Sequence, residues 1–310
     1  MHTVLVSGSL AYDHIMDFPD FFRNHFLPDR LHNINVSFNV PNHAEHFGGT
    51  AGNIAYNLRL LGEDAGIIAT AGNDFERYAA HLKEVGIEMK TIHHVPDLPT
   101  SFSYILTDRG DNQIAAFHPG AGGKAYAADL PAARLGIIAP GCLEDIHEFP
   151  AMYRKMQTPF FFDPGQVILA LPEDDLKNGI EGADVVFAND YEFTVLSQRT
   201  GWQEFEMLRH AKTLVITLGD MGSRIVSRAS EVRVPAVHAK NLVDPTGAGD
   251  AYRAGYAKGF LANLSPEKCA RLGSTAAVYA VESVGTQAHR FTLDEFKKRY
   301  EASYGEACPV

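Results

Sequence analysis

Cysteine is scarce in this chain, with three residues in 310, at Cys142, Cys269 and Cys308. Because they are odd in number and form no Cys-x-x-Cys pair, they indicate neither a disulfide framework nor a thiolate metal site. We therefore expect a reducing cytoplasm as the compartment. The first residues lead into a short strand-like run, and the chain nowhere has about 18 consecutive apolar residues, so we expect neither secretion nor a membrane span.

Positive charge is also limited. The chain has 27 lysines and arginines against 38 aspartates and glutamates, a formal net charge of −11, and no basic cluster stands out. Nucleic-acid binding requires clustered positive charge, so we expect no nucleic-acid partner. An anionic ligand would have to be bound locally, by backbone amides and a metal ion.

Two common nucleotide-binding patterns are missing as well. The chain contains no GxxxxGK[ST] segment, and the glycine cluster near its front does not fit GxGxxG. The P-loop mechanism and dinucleotide binding therefore both lose support.

The composition is that of a folded globular protein, with 45% hydrophobic and 21% charged residues. This length suits one large domain or two moderate ones. We find no internal repeat and no linker long enough to separate independent domains, so we expect a single domain over residues 1–310.

Short apolar runs alternate with helical patterns along the chain. The clearest helix has apolar residues at 51, 54, 55, 58 and 61 on one face and ends at Gly62. Alternating strands and helices predict a wound α/β fold with a mainly parallel sheet. The predicted buried strands lie at 4–6, 65–69, 135–138, 160–162, 184–188 and 214–218.

Two segments follow a different period. In the first segment, apolar residues alternate with polar ones at Ile34, Val36, Phe38 and Val40. In the second, the alternating residues are Phe102, Tyr104 and Leu106, followed by a turn at 108–112 and a further run at 113–117. Period two predicts antiparallel strands, which we place in a small side sheet. The inserted segments, about 12–47 and 98–119, would form a lid over a pocket. The alternatives are an ordinary peripheral sheet or a surface that pairs with a second copy in a homodimer.

The strongest chemical signal is the run from Asp244 to Tyr252, which reads DPTGAGDAY. Glycines at 247 and 249 allow the backbone to turn its amides towards an anion, and the dipole of the following helix adds positive potential. We predict an anion hole at Gly247, Ala248 and Gly249 beside Asp250, the candidate catalytic base. The alternative is a plain turn before a helix.

A second glycine cluster, Phe47 to Asn53, leads directly into the predicted helix. Asn53 is placed to use both of its amide groups on vicinal hydroxyls, or else to bond within the first helical turn. Asp13 follows the first predicted strand, where ligands bind in wound sheets, and its carboxylate could accept from two sugar hydroxyls.

Four motifs in order resemble those of the ribokinase-like (PfkB) family of sugar and nucleoside kinases. They are Gly48-Gly49 to Asn53, Asn189-Asp190-Tyr191-Glu192, Thr217 to Gly222, and Asp244 to Asp250. The resemblance spans nearly the whole chain. It implies a three-layer ribokinase-like α/β fold with a mainly parallel central sheet and a small β-sheet lid.

The resemblance also implies a reaction, the transfer of the γ-phosphoryl group of ATP to a hydroxymethyl group with Asp250 as the base. Glu192 would hold Mg²⁺ through water, Arg253 could contact a phosphate, and K⁺ or another monovalent cation near Asp244 stays an open question. The residues expected to bind ATP are Asn189, Thr217, Gly219, Gly222, Thr246 and Ala277.

Aromatic side chains in the predicted lid favour a nucleoside as the acceptor, because Phe38, Phe102 and Phe117 are suited to stacking on a purine. The resemblance is nearest to bacterial adenosine kinases, which implies conversion of adenosine to AMP in purine salvage. The ribose would then contact Asp13, Gly48, Gly49 and Asn53, with the base near Gln166 or Gln113.

Two other functions stay open at this point. One is a kinase for ribose, fructose or a fructose phosphate, although the two front motifs supply no extra arginine or lysine for a phosphosugar. The other is an inactive binding or regulatory protein that keeps the fold, against which the intact Asp250 and its glycine turn argue.

Overall fold

The computed structural model describes residues 2–26, 33, 35–110 and 112–310. Within these ranges lie thirteen β-strands and nine α-helices. The strands are β1 His2–Ser7, β2 Ala11–Asp17, β3 Asn42–Gly48, β4 Ala65–Ala71, β5 Ile92–His94, β6 Ser101–Thr107, β7 Gln113–His118, β8 Ala133–Ile138, β9 Phe160–Phe162, β10 Val185–Asn189, β11 Thr213–Thr217, β12 Ser223–Ser227 and β13 Glu231–Val234. The helices are α1 Thr50–Leu60, α2 Glu76–Val85, α3 Leu143–Met156, α4 Glu173–Ile180, α5 Asp190–Thr200, α6 Glu204–His210, α7 Ala248–Leu261, α8 Pro266–Val281 and α9 Leu293–Tyr304.

Nine of these strands form a central sheet in the order β13-β12-β11-β10-β9-β8-β1-β4-β5. The strands from β11 to β5 in that order run parallel. At one edge, β12 is antiparallel to both of its neighbours, β11 and β13. The predicted α/β fold with a mainly parallel sheet is confirmed, and each of the six predicted apolar runs overlaps a strand.

Helices cover both faces of the central sheet, which creates two hydrophobic cores. In β1, Val4 and Val6 belong to one core and Leu5 to the other, as the alternation of side chains along a strand requires. The core on the Val4 side is formed with α1, α2, α7, α8 and α9, and the opposite core with α3, α4, α5 and α6. None of the helices in the described part of the chain is long and apolar enough to cross a membrane.

The other four strands form a small sheet in the order β3-β2-β6-β7. The antiparallel pair predicted from residues 102–106 and 113–117 is confirmed as β6 and β7, and β2 and β3 are also antiparallel. The third pair, β2 with β6, is parallel, for which the sequence made no prediction. The reason for the parallel pairing is the long connection through β4, α2 and β5, which returns the chain to the same end of the sheet before β6 begins.

The strand predicted from the alternation at 34–40 is wrong. Residues 35–40 have no strand structure, and β3 begins only at Asn42. Two residues of the predicted segments, Ile34 here and Asp111 in the turn at 108–112, lie outside the described residues. Because β2 pairs with β3 from Ala11 with Gly48 to Asp17 with Asn42 and then ends, residues 35–40 have no partner along it. Alternation favours an extended chain, but a strand also requires a neighbour.

Candidate active site

The parallel strands of the central sheet end at a cavity of about 1180 Å³. Ligand sites in wound α/β sheets lie at this carboxyl edge. The residues that line the cavity at the ends of β1, β8, β9, β10 and β11 are Ser9, Pro140, Asp163, Asn189 and Thr217 respectively.

The small sheet also contributes to the wall of the cavity. Ala11 and Asp13 of β2, Ser101 and Ser103 of β6, and Phe117 of β7 all line it. Both inserted segments therefore reach the cavity, and the small sheet covers it from one side.

The N-terminal ends of α1 and α7 also meet at the cavity. Gly49 precedes α1 with a φ of 86°, and a Cβ on it would lie 2.6 Å from the carbonyl oxygen of Ser9. Gly247 precedes α7 with a φ of 79°. Glycine is needed at both positions because side chains rarely adopt this backbone conformation, and the two helix dipoles add positive potential to the cavity.

The predicted anion hole is only partly arranged as expected. Gly247 and Gly249 line the cavity. The amide of Ala248 instead donates to the carbonyl oxygen of Pro245 at 3.3 Å. The turn therefore presents its two glycines, and Ala248 is not among the lining residues that the structure describes.

Asp250 is the third residue of α7 and lines the cavity. Its carboxylate accepts a 2.8 Å hydrogen bond from Nδ2 of Asn53. Burial raises the pKa of Asp250 to about 7, against the lowering effects of Asn53 and Arg253 and with smaller raising effects from Asp163 and Asp13. A carboxylate with this pKa is suited to accepting a proton near neutral pH.

Asn53 is 5% exposed, and its amide is already bonded. Oδ1 accepts from the hydroxyl of Thr286 at 2.7 Å and from Nε2 of Gln287 at 3.0 Å, while Nδ2 donates to Asp250. The prediction that both amide groups bind vicinal hydroxyls is wrong for Oδ1, since both of its lone pairs are used. One N–H remains for a ligand.

Asp13 lies within β2 and not in a loop after the first strand. The hydroxyl of Ser103 on the neighbouring strand donates to its carboxylate. Burial is the main cause of a raised pKa at Asp13, and the Ser103 bond partly counteracts it. The Asp13 carboxylate therefore lines the cavity as a partly desolvated hydrogen-bond acceptor.

Arg253, predicted to contact a phosphate, forms a buried pair with Asp163. Its guanidinium donates to both carboxylate oxygens, one bond measuring 2.8 Å, and its Cζ lies 5.3 Å from the centre of the Phe187 ring. Asp163 is 2% and Arg253 7% exposed, although both line the cavity. The positive charge next to Asp250 is therefore largely neutralised by Asp163.

Asn189 and Glu192 form a reciprocal cap at the start of α5. The side chain of Asn189 accepts from the Glu192 amide, and the Glu192 carboxylate accepts from the Asn189 amide, both at 2.8 Å. Both residues also line the cavity. Burial and then the negative charge of Asp163 raise the pKa of Glu192.

The donor set at Glu192 fits a magnesium ion held mainly by water and phosphate. Among the described residues no group of three or more His, Cys, Asp and Glu side chains could hold a metal. Mg²⁺ usually keeps several waters and takes one or two carboxylates plus substrate phosphates, so a single carboxylate facing the cavity is sufficient. Burial is the main cause of the raised pKa of Glu192, and the negative charge of Asp163 adds to it, so a cation beside this carboxylate would favour its ionised form.

Asp244 connects two loops beside this site. One carboxylate oxygen accepts from the Thr246 amide at 2.9 Å and the other from the Gly285 amide at 3.1 Å. Thr246 lines the cavity. The Asp244 carboxylate thus holds the turn before α7 against the segment that follows α8.

Phe38 and Phe102 do not occur among the described residues that line the cavity. Phe38 instead packs with Phe18 and Phe22 at ring distances of 4.8 and 5.4 Å, and Phe102 lies 5.0 Å from the ring of His118. These two rings, expected to face a purine, pack instead against aromatic neighbours in the small sheet and its loop. Phe117 lines the cavity and is 59% exposed.

Gln166, Thr217 and Gly219 line the cavity as expected, but four other predicted residues lie outside its described lining. Gly48 accepts from Tyr78 through its carbonyl, and Gly222, with a φ of 91°, closes the turn between β11 and β12. Ala277 packs against the hydrophobic core. The side chain of Gln113 lies near Thr107 in the small sheet.

Several residues in or beside the site had no predicted role, and three of them carry contacts described above: Asp163, Thr286 and Gln287. Asp163 follows the buried strand β9, so the rule that placed Asp13 at a strand end could have found it. Thr286 and Gln287 are 3% and 5% exposed, and no local pattern marks them. Their contacts with Asn53 span more than 200 residues of chain, with separations of 233 and 234.

Comparison with known proteins places the chain in a family. The sequence model described as "pfkB family carbohydrate kinase" matches residues 1–292. The chain belongs to this family. The resemblance inferred from its motifs is confirmed, and as a member of the family the protein is a phosphotransferase that acts on a hydroxyl group.

The similar proteins include several nucleoside kinases. The nucleoside kinase of Methanocaldococcus jannaschii is 27% identical over 304 residues, with 97% of each chain covered. The structure of the Burkholderia thailandensis nucleoside kinase in complex with inosine is 34% identical with a TM-score of 0.91, covering 98% of this chain and 99% of the other. The same enzyme in complex with ADP-inosine gives 36% identity and a TM-score of 0.89 over 98% and 97% of the two chains. These matches confirm the ribokinase-like fold and support a nucleoside kinase.

Proposed function

We propose that this protein transfers the γ-phosphoryl group of ATP to the 5′-hydroxyl of a purine nucleoside, with adenosine as the expected acceptor. The observation that carries the proposal is the pairing of two carboxylates in one cavity. Asp250 lies at the N-terminus of α7, and Asp13 lies on the small sheet that lines the same cavity. The Asp250 carboxylate is suited to take a proton, and the Asp13 carboxylate is suited to accept hydrogen bonds from a diol.

The acceptor side of the cavity suits a ribose with an attached base. The Asp13 carboxylate and the free N–H of Asn53 would bind the ribose hydroxyls beside Gly49. The exposed ring of Phe117 and the exposed amide of Gln166 would lie against the base. The inosine complexes of the B. thailandensis enzyme support a purine here.

The phosphoryl transfer would need little covalent chemistry from the protein. The 5′-hydroxyl loses its proton to the Asp250 carboxylate as its oxygen bonds to the γ-phosphorus, and the bond to the β-phosphate oxygen breaks to release ADP. The turn at Gly247 and Gly249 and the dipole of α7 would stabilise the negative charge on the transferred group.

The nucleotide side would be formed by the other half of the cavity. Mg²⁺, when bound, would neutralise phosphate charge, and Glu192 with Asn189 would hold it through water. A monovalent cation such as K⁺ near Asp244 is a further expectation. The lining residues proposed to contact ATP are Asn189, Thr217, Gly219 and Thr246.

A phosphosugar kinase is the less favoured alternative. Among the described residues that line the cavity, Arg253 is the only lysine or arginine, and its charge is already paired with Asp163. A phosphate on the acceptor would therefore lack a partner of opposite charge. A free sugar such as ribose is not disfavoured by this argument and belongs in the test.

The proposal is tested by measuring ADP formation with Mg²⁺-ATP and each of adenosine, inosine, guanosine, cytidine, ribose, fructose and fructose 6-phosphate. We expect kcat/KM to be at least about tenfold higher for adenosine or another purine nucleoside than for any sugar, since the base adds buried contact area. The comparison of kcat/KM between adenosine and inosine decides which purine nucleoside is preferred. Turnover with sugars alone would contradict the nucleoside proposal and keep the phosphotransferase chemistry.

The magnesium role of Glu192 makes a separate prediction. The Glu192→Gln variant keeps a hydrogen-bond acceptor for the cap of α5 but removes the charge, so the Mg²⁺ concentration for half-maximal rate should rise about tenfold. The control is Glu148→Gln, an exposed position on α3 outside the described lining of the cavity. Equal Mg²⁺ dependence in the two variants would remove Glu192 from the metal site.

A further inference from the structure

A chain of hydrogen-bonded side chains leads from His81 to Asp250. His81 bonds to Oε1 of Gln287 at 3.0 Å, and Nε2 of Gln287 lies 2.6 Å from the Tyr78 hydroxyl and 3.0 Å from Oδ1 of Asn53. Tyr78, Gln287 and Asn53 are 0%, 5% and 5% exposed. Hydrogen bonds in such a buried network are costly to lose, because water does not replace a missing partner.

The direction of these bonds is set by a backbone carbonyl. The Tyr78 hydroxyl lies 2.7 Å from the carbonyl oxygen of Gly48, which can only accept, so Tyr78 donates its one hydrogen there. The hydroxyl must then accept from Gln287, whose amide nitrogen faces it. This orients the Gln287 amide, and its second N–H points to Oδ1 of Asn53.

The orientation of Asn53 follows from Gln287. Its Oδ1 receives the Gln287 N–H and shares the Thr286 hydroxyl hydrogen with the carbonyl oxygen of Phe47, which lies 2.9 Å from that hydroxyl. A flipped amide would place N–H groups against these donors and its oxygen against the Asp250 carboxylate. The network therefore keeps Nδ2 directed at Asp250.

We propose that Gln287, assisted by Thr286, is a positioning residue for the reaction, since it holds the Asn53 amide so that its nitrogen donates to the Asp250 carboxylate. The bond stabilises the ionised form of the base and fixes the carboxylate in the cavity. The inference rests on the proposed function in one respect, the role of Asp250 as the base.

Several other charged or titratable groups act on Asp250 and keep their identity in the Gln287 variant. Arg253 lies on the same helix, Asp163 follows β9, Asp13 lies on β2 and Tyr78 lies on α2. Arg253 favours the ionised form of Asp250, whereas Asp163 and Asp13 disfavour it. Gln287 also bonds to the titratable side chains of His81 and Tyr78. A shift in the Gln287 variant is therefore assigned to the Asn53 contact only when the Thr286 variants, which leave both of those bonds in place, move the limb in the same direction.

The test is the dependence of kcat on pH for the Gln287→Met variant, with saturating ATP, Mg²⁺ and acceptor. Methionine has a similar length but no donor, so the Asn53 amide loses its orientation and Asp250 loses a donor. The acid limb of the profile should move to higher pH by about one unit, because a hydrogen bond to a charged group corresponds to about one to two pKa units. ATP titrates equally in the wild type and the variant and does not affect the comparison.

Thr286 supplies a second and independent pair of variants. Thr286→Val removes the hydroxyl and should shift the limb in the same direction by a smaller amount, whereas Thr286→Ser keeps the hydroxyl and should restore the wild-type limb. This pair keeps the proposal testable if Gln287→Met does not fold, which its thermal melting shows.

A merely structural role for Gln287 would lower kcat equally at all pH values and leave the limb unshifted, and that result would overturn the inference. An active Asp250→Asn variant would instead overturn the proposed function. The two failures are therefore distinguishable in the same set of measurements.

Discussion

Replacement of Asp250 by asparagine is expected to lower kcat by about three orders of magnitude. The side chain keeps its shape, but the amide cannot take the proton of the acceptor hydroxyl, and a general base contributes about 10² to 10⁴ in rate. Single-turnover ADP formation with the preferred nucleoside measures the loss. Asp294→Asn, at an exposed position on α9, is the matched control and should retain wild-type turnover. A fall of less than tenfold in the Asp250 variant would remove this carboxylate from the role of base.

The same variant should be more stable than the wild type above neutral pH. Burial raises the pKa of Asp250 from its ordinary 3.8 to about 7, so the folded protein holds this proton more tightly than the unfolded chain. The wild-type free energy of unfolding therefore falls as pH rises from about 4 to about 7. Asparagine does not ionise, so the variant does not lose this stability as pH rises. Its melting temperature should therefore exceed that of the wild type at pH 8. The advantage should disappear near pH 4, and a pH-independent difference would contradict the assigned pKa.

The second large effect is expected at the buried pair of Asp163 and Arg253. Asp163→Ala leaves the guanidinium buried without its partner, and breaking such a pair lowers the free energy of unfolding by about 3–5 kcal/mol. The two residues are 2% and 7% exposed. Chemical denaturation of the purified variant measures the loss.

Two controls separate the loss of the partner from the loss of the Asp163 side chain itself. The double variant Asp163→Ala/Arg253→Met removes both charges and should recover a substantial part of the stability. Glu173→Ala breaks the surface pair with Lys177, where both side chains contact solvent, and should change the melting temperature little. If the single and double variants at Asp163 prove equally unstable, the unpaired charge is not the cause.

Local patterns were good predictors of the central sheet. Residues 160–162 form a run of three phenylalanines, all buried in β9, and Ala65–Ala71 is buried throughout as β4. Strands in a parallel sheet with helices on both faces are apolar on both sides, so their runs stand out in the sequence. The same approach failed at 35–40, where alternation was present but no partner strand was available.

Within the candidate site, the residues that lie close together in sequence could be predicted, and the contacts between distant residues could not. Asp250 and the glycines at 247 and 249 lie within four residues of one another, so their arrangement at the start of a helix could be predicted locally. The hydrogen bond from Asn53 to Asp250 joins residues 197 positions apart, and the pair of Asp163 and Arg253 spans 90 positions. No local pattern contains such contacts. The aromatic rings of Phe38 and Phe102 have a chemistry that suits a purine, but in the fold other aromatic rings pack against them.

The sequence by itself determined the family of this protein, its α/β class and the type of reaction, because these depend on short motifs and on the periodicity of apolar residues. Only the tertiary structure decided which polar groups remain free in the cavity. Asn53 illustrates the reason: the donors and acceptor that occupy its amide come from α7 and from the segment after α8. Hydrogen-bond capacity is limited to a few sites per side chain, and folding assigns those sites to residues far apart in the chain.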